Sequence, residues 1–268
     1  MSNSLRIGIT LPAFAHTGEP AFAVAEAAEA GGLDGVFALN HLWPIGSRGR
    51  PALWMWPVLG AVAARTTRVS VGTLVARVGL LSEDDLINAF AALRAIAGPD
   101  RVVAVVGAGD RLSAAENWAF GVPYPVAKVR LADVAHAVEL LRGRGFEPWI
   151  GGMSEAVADL AAGLAAARNL WGATVEEVRV ASTQNGNVPL ITWSGQVLVG
   201  RTDAEVDTLR QRYGDRQGLV AGTVEEVATH LGALHAAGAA WCVCAPLDGR
   251  DEPRRSAETI CLVAEAVP

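Results

Sequence analysis

Short apolar runs alternate along this chain with longer, alanine-rich amphipathic segments. Leu5–Leu11, Gly35–Leu39, Arg68–Val75, Arg101–Val106, Glu147–Ile150, Arg168–Trp171, Pro189–Val199 and Ala239–Ala245 read as strands, Arg168–Trp171 being the weakest. These runs are apolar throughout rather than at every second position, the pattern of parallel strands covered on both faces. Helical periodicity fills the gaps at Ala21–Ala30, Ala52–Arg65, Glu83–Ile96, Val126–Arg142, Ser154–Ala167, Val175–Thr183, Asp203–Arg212 and Val224–Ala237, with a final helix running to the C-terminus. Thr174, Thr202 and Thr223 each precede a glutamate by three positions, the spacing of a capping box. Gly31-Gly32 and Gly238 stand where helices should stop. Eight βα units without a Pro- or Ser-rich linker predict an α/β chain forming one (β/α)8 barrel over residues 1–268. A doubly wound open sheet is the alternative.

Composition narrows the partners. The chain is 51% hydrophobic, yet none of its apolar runs reaches the roughly 18 residues of a spanning helix. Met1-Ser2-Asn3-Ser4 carries no basic and apolar leader, so a cytoplasmic location is expected. Net charge is −6, and Lys128 is the only lysine. No basic stripe suggests nucleic acid or a membrane surface, which leaves a small molecule as the expected partner. Cys242, Cys244 and Cys261 cannot form a disulfide framework and read as reduced thiols, the first two on one face of a strand.

In a barrel the chemistry collects at the C-terminal ends of the strands. Those ends offer Pro12, Phe14 and His16; then Asn40, His41, Leu42 and Trp43; then Gly72, Thr73, Leu74 and Val75; then Gly107, Ala108, Gly109 and Asp110; then Gly151, Gly152, Met153 and Ser154. Gly151-Gly152-Met153-Ser154 leads straight into a helix, where bare amides and the helix dipole favour an anion and Ser154 can cap. Gly107-Ala108-Gly109 has Leu112 where a dinucleotide fingerprint needs its third glycine. A strand end on which a flat ring can lie is the better reading. Asp110 is a candidate acid or hydrogen-bond partner, and Glu116 and Asn117 are expected to order its loop. Trp43, Trp54 and Trp56 are candidates for an apolar pocket wall. His136, His230 and His235 fall in helical patterns.

Several barrel chemistries are disfavoured. Lys128 lies in a helical segment, so no Schiff-base lysine points into the barrel. One histidine per strand end does not make a metal-dependent hydrolase, and no G-x-S-x-G elbow is present. Glycine-rich strand ends, a phosphate-type turn and one histidine suit a flat phosphorylated cofactor that brings its own chemistry.

The chain resembles the bacterial luciferase-like superfamily, in particular its coenzyme F420-dependent oxidoreductases. The resemblance runs through Ala27-Glu29-Ala30-Gly31, Gly35–His41, Ala64–Val75, Asp100–Asp110, Glu116–Gly121, Pro148–Gly152 and Gly222–Val227. It implies a cytoplasmic homodimer of luciferase-like barrels, here with shortened insertions, holding F420 or alternatively FMN at the C-terminal face. It implies Gly151 and Gly152, with Met153 and Ser154, near the cofactor phosphate. It also implies a non-prolyl cis peptide at Leu74-Val75, after Thr73, behind the ring. Asn40, Gly107, Ala108 and Gly109 would complete the cofactor site, and His41 and Asp110 would be catalytic. The superfamily commonly has Asp before this histidine. Asn40 can hydrogen-bond but has no charge with which to hold an imidazolium. Few residues separate Arg142 from Glu147, where relatives often carry more chain. The expected activity is hydride transfer between F420 and an unidentified small organic substrate. An FMN-dependent luciferase-like monooxygenase and a non-catalytic flavin-binding member are the alternatives.

Overall fold

A computed structural model describes residues 4–44, 51–184 and 190–268. In chain order its elements are β1 (Arg6–Thr10), α1 (Glu19–Ala30), β2 (Gly35–Ala38), α2 (Met55–Arg65), β3 (Ser70–Thr73), β4 (Ala76–Arg77), α3 (Glu83–Ala97), β5 (Val102–Val103), β6 (Val105–Gly107), α4 (Ser113–Ala119) and α5 (Ala127–Gly143). They continue with β7 (Trp149–Gly151), α6 (Glu155–Gly163), β8 (Ala167–Trp171), α7 (Val175–Gln184), β9 (Ile191–Gly200), α8 (Asp203–Tyr213), β10 (Val220–Thr223), α9 (Val224–Ala236), β11 (Ala239–Pro246) and α10 (Pro253–Ala266).

All strand pairings among the described residues are parallel and belong to one sheet. β3 and β4 are two pieces of one barrel strand, separated at the Leu74-Val75 peptide, which is cis. β5 and β6 are likewise separated at Ala104, with β5 on β3 and β6 on β4. With these pieces joined, the order β1, β2, β3/β4, β5/β6, β7, β8, β9, β11 returns to β1 and closes the barrel. β10 branches off the far end of β9.

Closure separates an inner core from an outer one. On β11, Trp241 and Val243 belong to a compact inner cluster with Phe37, Leu74, Val105, Trp149 and Ala167. The alternate residues Cys242 and Cys244 join the large cluster between strands and helices, so both thiols are buried there. Phe37, Trp149 and Trp241 plug the interior, with Phe37 edge-on to Trp241 at 5.7 Å and 6.1 Å from Trp149. Glycine on the flanking strands makes room for them. A Cβ at Gly8 would lie 2.7 Å from the Phe37 ring, and one at Gly72 2.5 Å from it.

The predicted barrel and its eight barrel strands are present, with differences at the edges. Pro189 lies outside the described residues, as do Met1, Ser2 and Asn3, and β9 begins at Ile191. The predicted helix Ser154–Ala167 ends at Gly163. Ala165 turns to φ 47°, and Arg142 donates to the carbonyls of Leu164 (2.6 Å) and Ala165 (2.9 Å). Tertiary capping thus overrides an alanine-rich propensity. The short helix α4 and strand β10 were not anticipated. Thr174–Glu177 and Thr223–Glu226 form reciprocal capping pairs, whereas the Glu205 carboxylate takes the Arg201 N–H instead.

Gly72→Ala should lower stability by about 1–3 kcal/mol through overpacking against Phe37. Combined with Phe37→Leu, the loss in urea unfolding should be smaller than the sum of the two single losses. Strict additivity would show that the glycine is not making room for this ring.

Candidate functional site

Parallel closure brings every strand's C-terminal end to one face, and a buried ion-pair cluster occupies the β2/β4 sector of it. Beyond β2, Asn40 is 4% exposed, and its Oδ1 accepts the Arg77 N–H at 3.1 Å. That donor fixes the amide orientation, leaving the buried Asn40 Nδ2 without a hydrogen-bond partner. His41 follows. Its Nδ1 lies 2.7 Å from Glu116 Oε1, and its ring lies 6.1 Å from that of Phe14. The other Glu116 oxygen accepts from Leu42 N–H (3.0 Å) and from Arg77 Nη2 (2.8 Å). Arg77 Nη1 donates to Asn117 Oδ1 at 3.2 Å, and Asn117 in turn donates to the Pro123 carbonyl.

Glu116 is 1% exposed. Burial alone would push its carboxyl upward. The hydrogen bonds from His41 and Leu42 and the charge of Arg77 outweigh burial and hold it below the usual carboxylate range. Burial lowers the Arg77 guanidinium from its ordinary value, opposed by Glu116 and Asp110. An ionised carboxylate can only accept, so Nδ1 carries a proton, and in the uncharged ring Nε2 is the nitrogen that presents a lone pair. Glu116 is therefore the carboxylate partner of His41, a stronger role than ordering the loop.

The remaining candidates divide. Asp110 is exposed, and its Oδ1 accepts from the Ser113 N–H (2.9 Å) and hydroxyl (3.0 Å), starting α4. The Thr73 hydroxyl donates to the Val105 carbonyl (2.6 Å) and accepts the Val105 N–H (2.9 Å), bridging the break between β5 and β6. Leu74 faces the inner core, below the mouth. Val75 fills the space above Gly107 and Gly151: Cβ atoms there would lie 2.7 and 2.5 Å from its methyls. These two glycines make room for Val75. Ala108 and Gly109 follow, Gly109 at φ 69°.

At β7 the chain turns through Gly152 and Met153 to Ser154, the N-cap of α6. Arg168, 6% exposed, underpins the turn by donating to the carbonyls of Gly152 (3.2 Å) and Met153 (3.1 Å). Its guanidinium, lowered by burial, adds positive charge to the helix N-terminus. Neither Arg77 nor Arg168 was singled out from sequence; Arg77 lies two residues past the predicted strand Arg68–Val75, and Arg168 opens the weakest one. Trp56 packs edge-on against Phe90 in the helix layer, whereas Trp43 lies 5.6 Å from Phe120. His16 is exposed and His136 pairs with Glu83. No cluster able to hold a metal occurs among the described residues, and none of their helices is long and apolar enough to cross a membrane.

Comparison with known proteins places this geometry. No family model matches the chain. It is 35% identical over 139 residues to the F420-dependent glucose-6-phosphate dehydrogenase of Beutenbergia cavernae, covering 52% of this chain and 40% of that protein. It is 37% identical over 129 residues to the enzyme of that description from Nakamurella multipartita, covering 48% and 36%. Over about half of its length the chain is thus similar to F420-dependent glucose-6-phosphate dehydrogenases. The match spans well under two thirds of those relatives' own lengths. The barrel fold is shared end to end with solved structures. An F420-dependent secondary alcohol dehydrogenase in complex with an F420–acetone adduct superposes with a TM-score of 0.82 at 18% identity, covering 99% of both chains. An F420-dependent tetrahydromethanopterin reductase from Methanopyrus kandleri gives 0.75 at 13% identity, covering 96% of this chain and 97% of that one. EDTA monooxygenase from Chelativorans gives 0.77, also at 13% identity, covering 98% and 94%.

Glu116→Gln should cost about 3–5 kcal/mol in urea unfolding at neutral pH, because it leaves Arg77 buried without its counter-charge. The depressed Glu116 pKa contributes stability that is present above the unfolded-state value and lost as pH falls through the folded-state value. The gap between wild type and variant should therefore hold above about pH 5 and narrow as the pH falls below about 4.5, the ordinary carboxylate value. A constant gap would show that Glu116 is not ionised in the fold.

Proposed function

We propose that this chain is an F420-dependent oxidoreductase that moves a hydride between the deazaflavin and a small organic substrate, most simply an alcohol/ketone pair. The observation that carries the proposal is the buried Glu116 carboxylate holding His41 by Nδ1 and leaving Nε2 open at the strand ends.

The residues present fit a flat phosphorylated cofactor. Asn40 Nδ2 is a buried donor with no partner in the protein. The Gly152–Ser154 turn offers amides at the start of α6, with Arg168 behind it. Asn40, Val75, Ala108, Gly109, Gly151, Gly152, Met153 and Ser154 would hold the group, while Thr73 and Leu74 support them from below. When bound, the deazaflavin supplies the hydride acceptor or donor.

The protein's part is proton handling. In the oxidising direction His41 Nε2 takes the hydroxyl proton of the substrate, and Glu116 stabilises the resulting imidazolium. In the reducing direction that proton returns to the developing alkoxide. Arg77 keeps Glu116 ionised and correctly aimed through the cycle. Asp110 retains Oδ2 free of hydrogen bonds beside this mouth and is the second proton-handling candidate. A homodimer in the cytoplasm belongs to the same proposal.

Titration should show saturable binding of F420 by cofactor fluorescence, tighter than that of FMN. His41→Ala should leave the F420 Kd within about twofold and cut reduction of F420 by a panel of secondary alcohols by about 10²–10⁴. Binding of neither cofactor would defeat the proposal, and full turnover by His41→Ala would remove His41 from the mechanism.

A further inference from the structure

The ion-pair cluster takes up one side of the barrel mouth, and the opposite side is built differently. In the closed strand order β8 lies four strands from β2 in either direction, and β9 four strands from β3/β4. The end of β8 therefore faces the end of β2, with His41, across the barrel, and β9 faces Val75 and the cis peptide.

Alternation along β8 turns Ala167, Asn169 and Trp171 inward, Ala167 belonging to the inner cluster. On β9 it turns Thr192, Ser194 and Gln196 inward, since Ile191, Trp193 and Val197 belong to the outer core. The lower positions form a closed polar floor. Asn169 Nδ2 donates to Thr192 Oγ1 (2.9 Å), the Ser194 hydroxyl donates to Asn169 Oδ1 (2.9 Å), and all three residues are buried. The upper positions are open. Trp171 is the one exposed residue of β8, at 40%, and Gln196 is the one residue of β9 that is not buried. Backbone holds both in place. Trp171 is paired with Ser194, the Gly172 N–H donates to the Ser194 carbonyl at 2.7 Å, and Gln196 is paired with Ala245 of β11. Neither side chain has a hydrogen-bond, ion-pair or ring partner among the described residues.

No inward position of β8, β9 or β11 carries an ionisable side chain. The charged groups bordering this wall are already engaged: Arg168 with the Gly152 and Met153 carbonyls, Asp215 with Arg210 (3.8 Å), Arg216 with the Tyr213 carbonyl, and Asp248 with Arg255 (3.3 Å).

We propose that Trp171 and Gln196 form the substrate-binding wall of the mouth and select an uncharged ring alcohol that carries a second hydroxyl or carbonyl group away from its reacting carbon. The inference rests on the functional reading above for the reaction, in which the hydride passes to F420 and the hydroxyl proton to His41 Nε2. A group held at Val75 has β9 across the barrel from it, so a substrate reaching both that group and His41 meets Trp171 and Gln196 on its far side. The indole offers a flat apolar surface to a ring. The carboxamide offers both a donor and an acceptor to a neutral oxygen. A charged group placed there would lose hydration without a counter-ion.

The test compares trans-cyclohexane-1,4-diol with the similarly sized trans-4-methylcyclohexanol, each titrated by saturation-transfer NMR into the protein with and without F420. The diol should bind about fivefold tighter, the increment of one hydrogen bond. Gln196→Met should bring that ratio to about one. Trp171→Leu should weaken both ligands by about three- to tenfold and keep the ratio. Urea midpoints read folding of the variants separately. Should a variant fold poorly, the wild type alone should still bind trans-4-hydroxycyclohexanecarboxylate more weakly than the diol. A wild-type ratio of one or less overturns the proposal, as does a ratio unchanged in Gln196→Met, a diol affinity unchanged in Trp171→Leu, or tighter binding of the carboxylate. Failure of F420 to bind, with the diol preference and its dependence on Gln196 intact, would refute the functional reading and leave the wall assignment standing.

Discussion

One carboxylate organises the mouth of this barrel. Glu116 accepts from the His41 ring, the Leu42 amide and the Arg77 guanidinium, so it ties the end of β2 to the end of β4 from a helix that belongs to neither. Two oxygens meeting three donors leave little of the carboxylate unsatisfied, which is the condition under which a buried charge is tolerable. Remove it, and Arg77 keeps its charge in a site 6% exposed, His41 loses its orientation, and the loop at Leu42 loses its anchor.

That requirement explains the shape of α4. A seven-residue helix has room for one inward face, and here Glu116, Asn117 and Ser113 occupy it. Of its apolar residues the small Ala114 is buried with them, whereas the large Trp118 is left to solvent. The helix is then held by polar contacts to Arg77, Pro123 and Asp110 rather than by hydrophobic burial. The Glu116–Arg77 ion pair and the exposed Trp118 are two consequences of one packing choice.

The barrel was legible because parallel strands and amphipathic helices leave periodic traces, and because the helix caps are local. Even the interior alternation on β11 follows from spacing, with Trp241 and Val243 inward and Cys242 and Cys244 outward. His41 and the Gly151-Gly152 turn were legible as strand-end features. Arg77, Arg168 and the role of Glu116 were not. Each acts through partners 15 to 75 positions away, and no local pattern records which distant group a side chain will meet. α4 escaped notice for a related reason: its hydrophobic face points to solvent, so the usual periodicity argument does not find it. That the glycines at 107 and 151 make room for Val75, on a different strand, was likewise not legible locally.

The neutral residue before the histidine now has a physical account. Asn40 Oδ1 caps the Arg77 backbone N–H, while Glu116 takes the Arg77 side chain. An aspartate at position 40 would bring a second buried carboxylate onto the same arginine, one positive charge facing two negative ones, with His41 between them. Like charges confined in this way cannot both stay ionised without a further cation. Either Glu116 would take up a proton and release His41 Nδ1, or position 40 would protonate and become a donor facing the Arg77 N–H. Asparagine avoids both outcomes. It keeps the acceptor that Arg77 needs, adds no charge, and leaves its Nδ2 donor at the barrel mouth. The carboxylate that the resemblance placed next to the histidine in sequence is supplied here from α4, and Asn40 is the residue compatible with that relocation.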